Sequence, residues 1–231
     1  MALPFFYVHH LDGPVIILDE DTSKHMIGVL RMEKGEEVLL TDGKGKKAIA
    51  TIIDDNRKKC SVKVSSLQET EAPLRKVAIG ISLIKNSSRF EWFLEKATEI
   101  GVNEFIPLIC ERTEKEKFRT DRMQNILISA MLQSQQCWLP SFHEPAELKN
   151  ILTSRIEPIR FIAHCLPQQK ASIIETDNKK DVILLVGPEG DFTPQEIETA
   201  LKAGYLPVSL GKARLRTETA GIVGATLLCI Q

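Results

Sequence analysis

The sequence predicts an α/β protein in two parts: a small N-terminal β-barrel, and a larger domain built on a mostly parallel sheet with helices on both faces. Short runs of β-branched residues between turns fill the first part of the chain. After Pro73, apolar strands alternate with amphipathic helices, the pattern of a parallel sheet. A polar stretch at residues 68–73 separates the two patterns and is typical of a linker. We therefore predict one domain over residues 1–70 and a second over residues 74–231.

The N-terminal part contains three predicted strands and one predicted helical piece. The strands are residues 37–41, 48–53 and 60–65, and turn residues such as Asp42-Gly43 separate them. This is the spacing of hairpins in a small barrel. The helical piece, residues 23–30, interrupts the strands.

The C-terminal part contains five predicted strands and four predicted helices. The strands are residues 77–83, 105–109, 159–164, 182–186 and 207–210. The helices are residues 89–100, 119–136 and 194–203, with a last apolar helix from about residue 218. An apolar run such as residues 77–83 suits a strand that is buried on both faces.

Capping signals mark the ends of two of these helices. Thr193 and Glu196 form a capping box at the start of the third helix. Ser88 and Glu91 predict a second capping box, and Gly101 predicts a left-handed stop at the end of that helix. The boundaries therefore come from local chemistry as well as from hydrophobic periodicity.

Composition excludes several classes of protein. The net charge of −1 is too small for a protein that binds nucleic acid through its overall field, so RNA contact must come from local basic patches such as residues 44–47 and 57–59. Five scattered cysteines without a C-x-x-C pair favour reduced thiols over disulfides, and no metal site is expected. The N-terminus lacks the pattern of a secretory signal, and no apolar run reaches the ~20 residues of a membrane span. We expect a cytoplasmic protein with no membrane partner.

Three loops after predicted strands are the candidate ligand sites, because ligands of open α/β sheets bind where the strands end. They are residues 165–167, 187–191 (GPEGD) and 211–219 (GKARLRTET). A glycine-proline turn alone is explained by backbone geometry, since glycine permits positive φ and proline fixes the bend. The third loop is not explained by turn geometry alone, because it places two arginines and a glutamate just before a helix, and a turn does not require these polar residues. Dinucleotide, P-loop and nucleophile-elbow motifs are absent from the sequence.

These segments resemble a known family, the bacterial methyltransferases that modify N3 of a uridine in 16S ribosomal RNA. The N-terminal match is carried by residues 25–31 (HMIGVLR), Gly35 and Asp42-Gly43. The middle of the chain is similar to the family at Lys85, Arg89 and residues 96–102 (KATEIGV). The most specific segments are residues 185–190 (LVGPEG) and 210–220, which contain LRTETA. Residues 132–136 (LQSQQ) depart from the family's pattern at both ends of that stretch.

The resemblance implies a fold and an activity. The N-terminal barrel is expected to be PUA-like and to help hold RNA, and the C-terminal domain to be of the SPOUT type, with a deep trefoil knot. The cofactor implied is S-adenosyl-L-methionine, bound bent in the knot loops. The partners implied are 16S ribosomal RNA, or the small ribosomal subunit that contains it, and a second copy of the chain in a homodimer.

Cofactor binding is expected from the main chain of the three loops. Glycines let the backbone approach a ligand closely, and amides donate hydrogen bonds whatever the side chain. The candidate cofactor-binding residues are Leu166, Gly187, Pro188, Glu189, Gly190, Leu210, Gly211 and Leu215.

Three charged residues are the candidates for catalysis. Removal of the N3 proton of uracil requires a base, and Glu218 or Glu189 can supply it, while Arg216 can stabilise a uracil oxygen. Each residue also has a plain structural role open to it: Glu218 as a helix cap, Arg216 in a subunit-interface ion pair, and Glu189 as a solvated turn residue.

The candidate RNA-binding residues are His25, Arg31, Lys85, Arg89 and Lys96. The last three share a helix region with several glutamates, so an ordinary surface ion-pair face is an equal alternative. Two other functions stay open from the sequence: a ribosome-assembly factor without catalysis, and a methyltransferase of the same fold that acts on another RNA nucleotide.

Overall fold

The computed structural model of the protein describes residues 3–114, 119–175, 177 and 179–230. The chain forms two compact units. One contains Met1–Ala72 together with Met131–Leu139, and the other contains Pro73–Ala130 together with Pro140–Gln231.

The first unit is built on a five-stranded sheet of order β1-β3-β4-β5-β2. The β3–β4, β4–β5 and β5–β2 pairs are antiparallel, and β1 pairs with β3 in parallel. The three predicted strands are confirmed as β3 to β5, while the short strands β1 and β2 carried no sequence signal of their own. The strands are β1 Phe5–Tyr7, β2 Val15–Ile17, β3 Glu37–Thr41, β4 Lys46–Asp54 and β5 Ser61–Glu69.

The predicted helical piece of this unit exists in an unusual form. A single α-helical turn, α1 (Glu20–Ser23), leads into a π-helical segment, Lys24–Val29. The Asp19 side chain caps the turn by accepting from the Thr22 amide at 2.8 Å. Met26 is fully buried in the core of the unit. The π-helical segment therefore contributes to the core of the first unit through this residue.

A returning segment completes the first unit through main-chain hydrogen bonds. The Gly45 amide donates to the Cys137 carbonyl at 2.9 Å, and the Leu139 amide donates to the Gly43 carbonyl at 2.8 Å. The Trp138 indole N–H donates to the Glu71 carbonyl at 3.1 Å. A Cβ at Gly45 would lie 2.4 Å from the Trp138 ring, so glycine is required there.

The second unit is built on a wholly parallel sheet of order β12-β10-β11-β6-β7-β8, with β9 also paired to β7. This confirms the predicted parallel sheet. The five predicted strands are present, and the two-residue strands β8 and β9 were not predicted. The strands are β6 Val77–Ser82, β7 Glu104–Ile109, β8 Ser141–Phe142, β9 Ala146–Glu147, β10 Ile159–Ala163, β11 Val182–Val186 and β12 Leu206–Val208.

Five further helices follow the sequence prediction except for α4, which was not predicted. They are α2 Ser87–Ile100, α3 Thr120–Gln133, α4 Leu148–Ser154, α5 Pro194–Lys202 and α6 Thr217–Cys229. The α5 capping box of Thr193 and Glu196 is confirmed. The left-handed Gly101 stop of α2 is also confirmed, with φ of 109°. None of the helices in the described part of the chain is both long enough and apolar enough to cross a membrane.

The predicted capping box at the start of α2 is wrong. Asn86 is the N-cap residue, and its side-chain oxygen accepts from the Ser88 amide at 3.0 Å. Asparagine is as good a cap as serine, and the helix therefore begins at Ser87, two residues earlier than predicted.

Helices cover both faces of the parallel sheet. On one face, α4 and α5 share a core with Ile183 and Leu185 of β11. On the other face, α6 lies close to α2 and to the sheet through two glycines: a Cβ at Gly221 would meet Phe93 of α2 at 2.5 Å, and one at Gly224 would meet Leu184 of β11 at 2.2 Å. The small size of the two glycines therefore lets the middle of α6 pack closely against α2 and β11.

Candidate functional site

The loops after β10, β11 and β12 line one cavity of about 330 Å³. These strands are neighbours in the sheet and run parallel, so their carboxyl ends meet at one edge. The cavity contains most of the candidate cofactor-binding residues. Those that line it are Gly187, Pro188, Glu189, Leu210, Gly211 and Leu215.

Asp191 ties the first of these loops to the second. Its carboxylate accepts from the Cys165 amide and from the Phe192 amide, each at 2.8 Å. Its backbone is left-handed, with φ of 65°, and its amide donates to the Pro188 carbonyl at 2.9 Å. A Cβ at Gly187 would lie 3.0 Å from the Phe192 ring, so a side chain at this position would crowd that ring. The loop is thus held in one tight conformation.

Thr217 ties the second loop to α6. Its buried hydroxyl donates to the Gly187 carbonyl at 3.1 Å. An unpaired buried carbonyl would be costly, so this bond fixes the loop relative to the helix.

Leu166 and Gly190, also candidates for cofactor binding, lie beside the cavity and do not line it. The Leu166 amide donates to His164 Nδ1 at 3.2 Å, and the Leu166 side chain is exposed. The Gly190 carbonyl accepts from Arg112 Nη1 at 2.6 Å. Their part in cofactor binding stays a prediction.

His164 is a buried histidine in the wall of the cavity. Burial lowers the pKa of its imidazole, and the nearby Lys170 ammonium, which donates to the His164 carbonyl, lowers the pKa further. The neutral ring accepts from the Leu166 amide at Nδ1, while Nε2 lies 2.9 Å from the Gln168 side-chain amide. His164 therefore holds the first loop in place as a neutral group.

A second depression of about 570 Å³ adjoins the cavity and contains the other candidate catalytic residues. It shares Arg214 and Leu215 with the cavity. The residues that line it are Ser88, Arg89, Trp92, Arg214, Leu215, Arg216, Glu218 and Thr219.

Glu218 is a buried carboxylate in the first turn of α6, and its side chain is 8% exposed. Its Oε1 lies 3.7 Å from Arg89 Nε, and its Oε2 has no hydrogen-bond partner among the described residues. The backbone of Arg216 occupies the N-cap position of α6, and the Arg216 side chain is exposed in the depression. Glu189 is exposed on its loop. A carboxylate with an unused acceptor thus lies beside the Arg89 guanidinium, in a depression that Arg216 also lines.

The candidate RNA-binding lysines lie in ion pairs. Lys85 pairs with Glu114 at 2.7 Å, and Lys96 pairs with Glu95 at 2.6 Å and with Glu99 at 2.9 Å. These contacts match the ion-pair alternative, and a role in RNA binding stays a prediction.

His25 lies in the first turn of the π-helical segment of the first unit, Arg31 follows the end of that segment, and both side chains are exposed. His25 meets the Phe6 ring edge-on at 6.1 Å, and Arg31 has a left-handed backbone with φ of 57°. Their expected contact with RNA also stays a prediction.

Several site residues were missed by sequence reasoning. Asp191 and Thr217 lie inside the loops singled out above, but their hydrogen bonds join segments distant in the chain. Trp92 and Arg112 gave no signal, because nothing in the pattern places them beside those loops. In the part of the chain that the structure describes, no three His, Cys, Asp or Glu side chains are grouped so as to hold a metal ion.

Comparison with known proteins gives a consistent result for both parts of the chain. A family model described as an RNA methyltransferase domain matches residues 70–229, and one described as an RNA methyltransferase PUA domain matches residues 18–65. The ribosomal RNA small subunit methyltransferase E of Synechocystis is 32% identical over 84% of this chain, and the match spans 66% of that protein's length.

Solved structures match over nearly the whole chain. A probable rRNA-methyltransferase from Porphyromonas gingivalis has a TM-score of 0.91 at 37% identity and covers 99% of each chain. A ribosomal RNA small subunit methyltransferase E from Neisseria gonorrhoeae, bound to S-adenosyl methionine, has a TM-score of 0.87 at 28% identity, covering 97% of this chain and 95% of that one.

Proposed function

We propose that this chain, which belongs to the RNA methyltransferase family, transfers a methyl group from S-adenosylmethionine to N3 of a uridine in 16S ribosomal RNA. The single observation that carries the proposal is the junction of two sites: a three-loop cavity that adjoins, through Arg214 and Leu215, a depression holding a buried carboxylate. A methyl donor and an RNA base can then occupy neighbouring sites.

The cavity fits the cofactor. Its volume lies in the ordinary range for small-molecule sites, and it combines apolar side chains such as Leu210 and Val186 with exposed main chain at Gly211. We assign its binding to the eight residues named from the sequence, with Leu166 and Gly190 shaping the loops from outside. S-adenosylmethionine supplies, when bound, an electrophilic methyl group on a positively charged sulfur.

Glu218 is the favoured base of the two carboxylates. Its unpaired Oε2 can accept the N3 proton of uracil, whereas the exposed Glu189 is solvated in its turn. As the proton leaves N3, negative charge spreads to the uracil oxygens, and the guanidinium of Arg216, which lines the same depression, stabilises it. A positioned base of this kind contributes ~10²–10⁴ in rate.

The proposal extends to assembly, topology and location. The family resemblance implies a homodimer, a trefoil knot in the second unit and action in the cytoplasm on RNA of the small ribosomal subunit. His25 and Arg31 on the first unit, and Lys85, Arg89 and Lys96 on the second, are the residues proposed for RNA contact.

The test uses small subunits from cells that lack the protein, incubated with purified protein and labelled S-adenosylmethionine. Mass spectrometry of the digested RNA identifies the modified base, and reverse transcription locates it, because an N3 methyl group blocks pairing. We expect label in one N3-methyluridine. Label in another nucleotide contradicts the substrate, and failure of both transfer and S-adenosylhomocysteine binding favours a non-catalytic assembly factor.

Matched variants test the assignment of the base. Glu218→Gln is expected to lower kcat by ~10²-fold or more. Glu189→Gln, the same change on the exposed turn, keeps the main chain through which Glu189 is assigned to cofactor binding, and is expected to leave kcat within a few-fold of the unmodified protein. The reverse order would make Glu189 the base, and S-adenosylhomocysteine binding by both variants controls for the integrity of the cavity.

A further inference from the structure

Trp92 is a large aromatic residue on the solvent side of α2. The apolar stripe of this helix, which includes Phe90, Phe93 and Leu94, is buried, whereas Trp92 is 45% exposed. Its side chain lines the depression that also contains Arg216 and Glu218. A single exposed hydrophobic residue is ordinary on a protein surface, so its meaning depends on what surrounds it.

The buried Glu218 carboxylate gives the depression a chemical preference. A buried acceptor without a donor is destabilising, so such an atom calls for an explanation. Oε2 of Glu218 is shielded from solvent and unpaired among the described residues, while Oε1 lies near Arg89. A ligand that offers a hydrogen-bond donor to this carboxylate, after a small rotamer change, removes that cost.

Uracil offers the matching pattern on its pairing edge. The N3–H donor lies between two carbonyl acceptors, O2 and O4. The depression presents a carboxylate acceptor, Glu218, with the guanidinium donors of Arg89 and Arg216 around it. Cytosine differs at both informative positions, because its N3 is an acceptor and its exocyclic amine is a donor. The depression therefore favours uracil.

We propose that this depression receives the unstacked target base, with Trp92 as its stacking surface and with Glu218, Arg89 and Arg216 distinguishing uracil from cytosine. This inference rests on the proposed function and adds the residues that select the base. Aromatic side chains that stack a base contribute strongly to the binding of single-stranded RNA. Arg89 has two tasks, to orient the Glu218 carboxylate and to donate to a uracil oxygen.

The position of the depression suits this role. Leu215 and Arg214 border both the depression and the cofactor cavity, so a base stacked on Trp92 lies next to the cavity. The Thr217–Gly187 hydrogen bond joins the helix that carries Glu218 to the loop that lines the cavity. The position of the depression relative to the cofactor cavity is thus fixed.

Kinetics of methyl transfer to small subunits give the first test. We expect Trp92→Ala to lower kcat/KM by about tenfold or more and Trp92→Phe to lower it less than about threefold, with unchanged affinity for S-adenosylhomocysteine. Arg89→Gln is expected to raise transfer to RNA carrying cytidine at the target position, relative to uridine. Full kcat/KM in Trp92→Ala overturns the proposal. So does a loss of kcat/KM that is explained by dissociation of an oligomer of Trp92→Ala, which sedimentation measures.

Fluorescence gives a second test that needs no methyl transfer. The chain has two tryptophans, so Trp138→Phe leaves Trp92 as the only one. We expect oligouridylate to quench Trp92 emission, and oligocytidylate to bind about tenfold more weakly, in the presence of S-adenosylhomocysteine. Saturation is judged from the anisotropy of labelled RNA.

The two tests separate the two proposals. Quenching by oligouridylate without methyl transfer supports the base site and contradicts the proposed activity. Methyl transfer with unchanged Trp92 emission at saturation, or with no oligouridylate binding, overturns the base site and leaves the activity standing.

Discussion

Replacement of Thr217 by valine tests how strongly α6 and the loop after β11 are joined. Valine keeps the branched shape of the buried threonine and removes only the hydroxyl that donates to the Gly187 carbonyl at 3.1 Å. Both residues are buried, so the carbonyl loses its donor without gaining water. Loss of one partner of a buried hydrogen bond costs about 1–3 kcal/mol. Valine and threonine have similar helix propensities, so the backbone contributes little to the difference.

We expect Thr217→Val to lower the free energy of unfolding by about 1–3 kcal/mol and to weaken binding of S-adenosylhomocysteine about tenfold. Urea denaturation measures the first effect and titration calorimetry the second. Thr217→Ser is the matched control, because it keeps the hydroxyl and loses about 1 kcal/mol with the buried methyl group. The reasoning is refuted if valine binds the ligand as tightly as threonine, or if serine weakens binding as much as valine.

Three further predictions address packing, pH and the outer contact of the loop. Gly221→Ala is expected to lower the free energy of unfolding by about 1–2 kcal/mol in urea denaturation, because the new methyl group would lie 2.5 Å from a buried phenylalanine ring, and this clash outweighs the gain in helix propensity. Gly28→Ala is the control, because its methyl group meets open space. Because the pKa of His164 is lowered in the folded protein, the unfolded chain takes up this proton at a higher pH, and the free energy of unfolding is expected to fall as the pH drops below about 6.5. His164→Gln is expected to make the free energy of unfolding depend less steeply on pH in denaturation experiments. An unchanged pH dependence in this variant contradicts the role given to His164. Arg112→Gln is expected to weaken S-adenosylhomocysteine binding about threefold in calorimetry, through loss of the exposed charge-assisted bond to Gly190, and an unaltered affinity shows the bond to be unimportant.

Sequence patterns predicted the elements that local chemistry dictates. The α5 capping box is an interaction between Thr193 and Glu196, three residues apart, so it is visible in the sequence. The start of α2 was misplaced because Asn86 and Ser88 are both competent caps, and only tertiary position selects between them. Strand β8, two residues long, exists because β7 offers it a pairing edge, and no periodicity of its own can reveal that.

The candidate site was predictable to the extent that it is made of main chain. Glycine and proline after strands mark the loops, and the parallel sheet brings the loops together. The side chains that complete the site come from elsewhere: Arg112 follows β7, and Trp92 stands on α2. Their proximity is a property of the folded chain, and only the structure reveals it.

The returning segment of the first unit has a consequence for synthesis of the chain on the ribosome. Gly43, Gly45 and Glu71 obtain their partners from residues 137–139, which are translated more than sixty residues later. A nascent barrel that has just emerged therefore exposes unpaired backbone groups until that segment also leaves the exit tunnel. A truncated gene that ends at residue 72 encodes the same incomplete barrel, and a fragment intended for separate expression needs residues 131–139 joined to it.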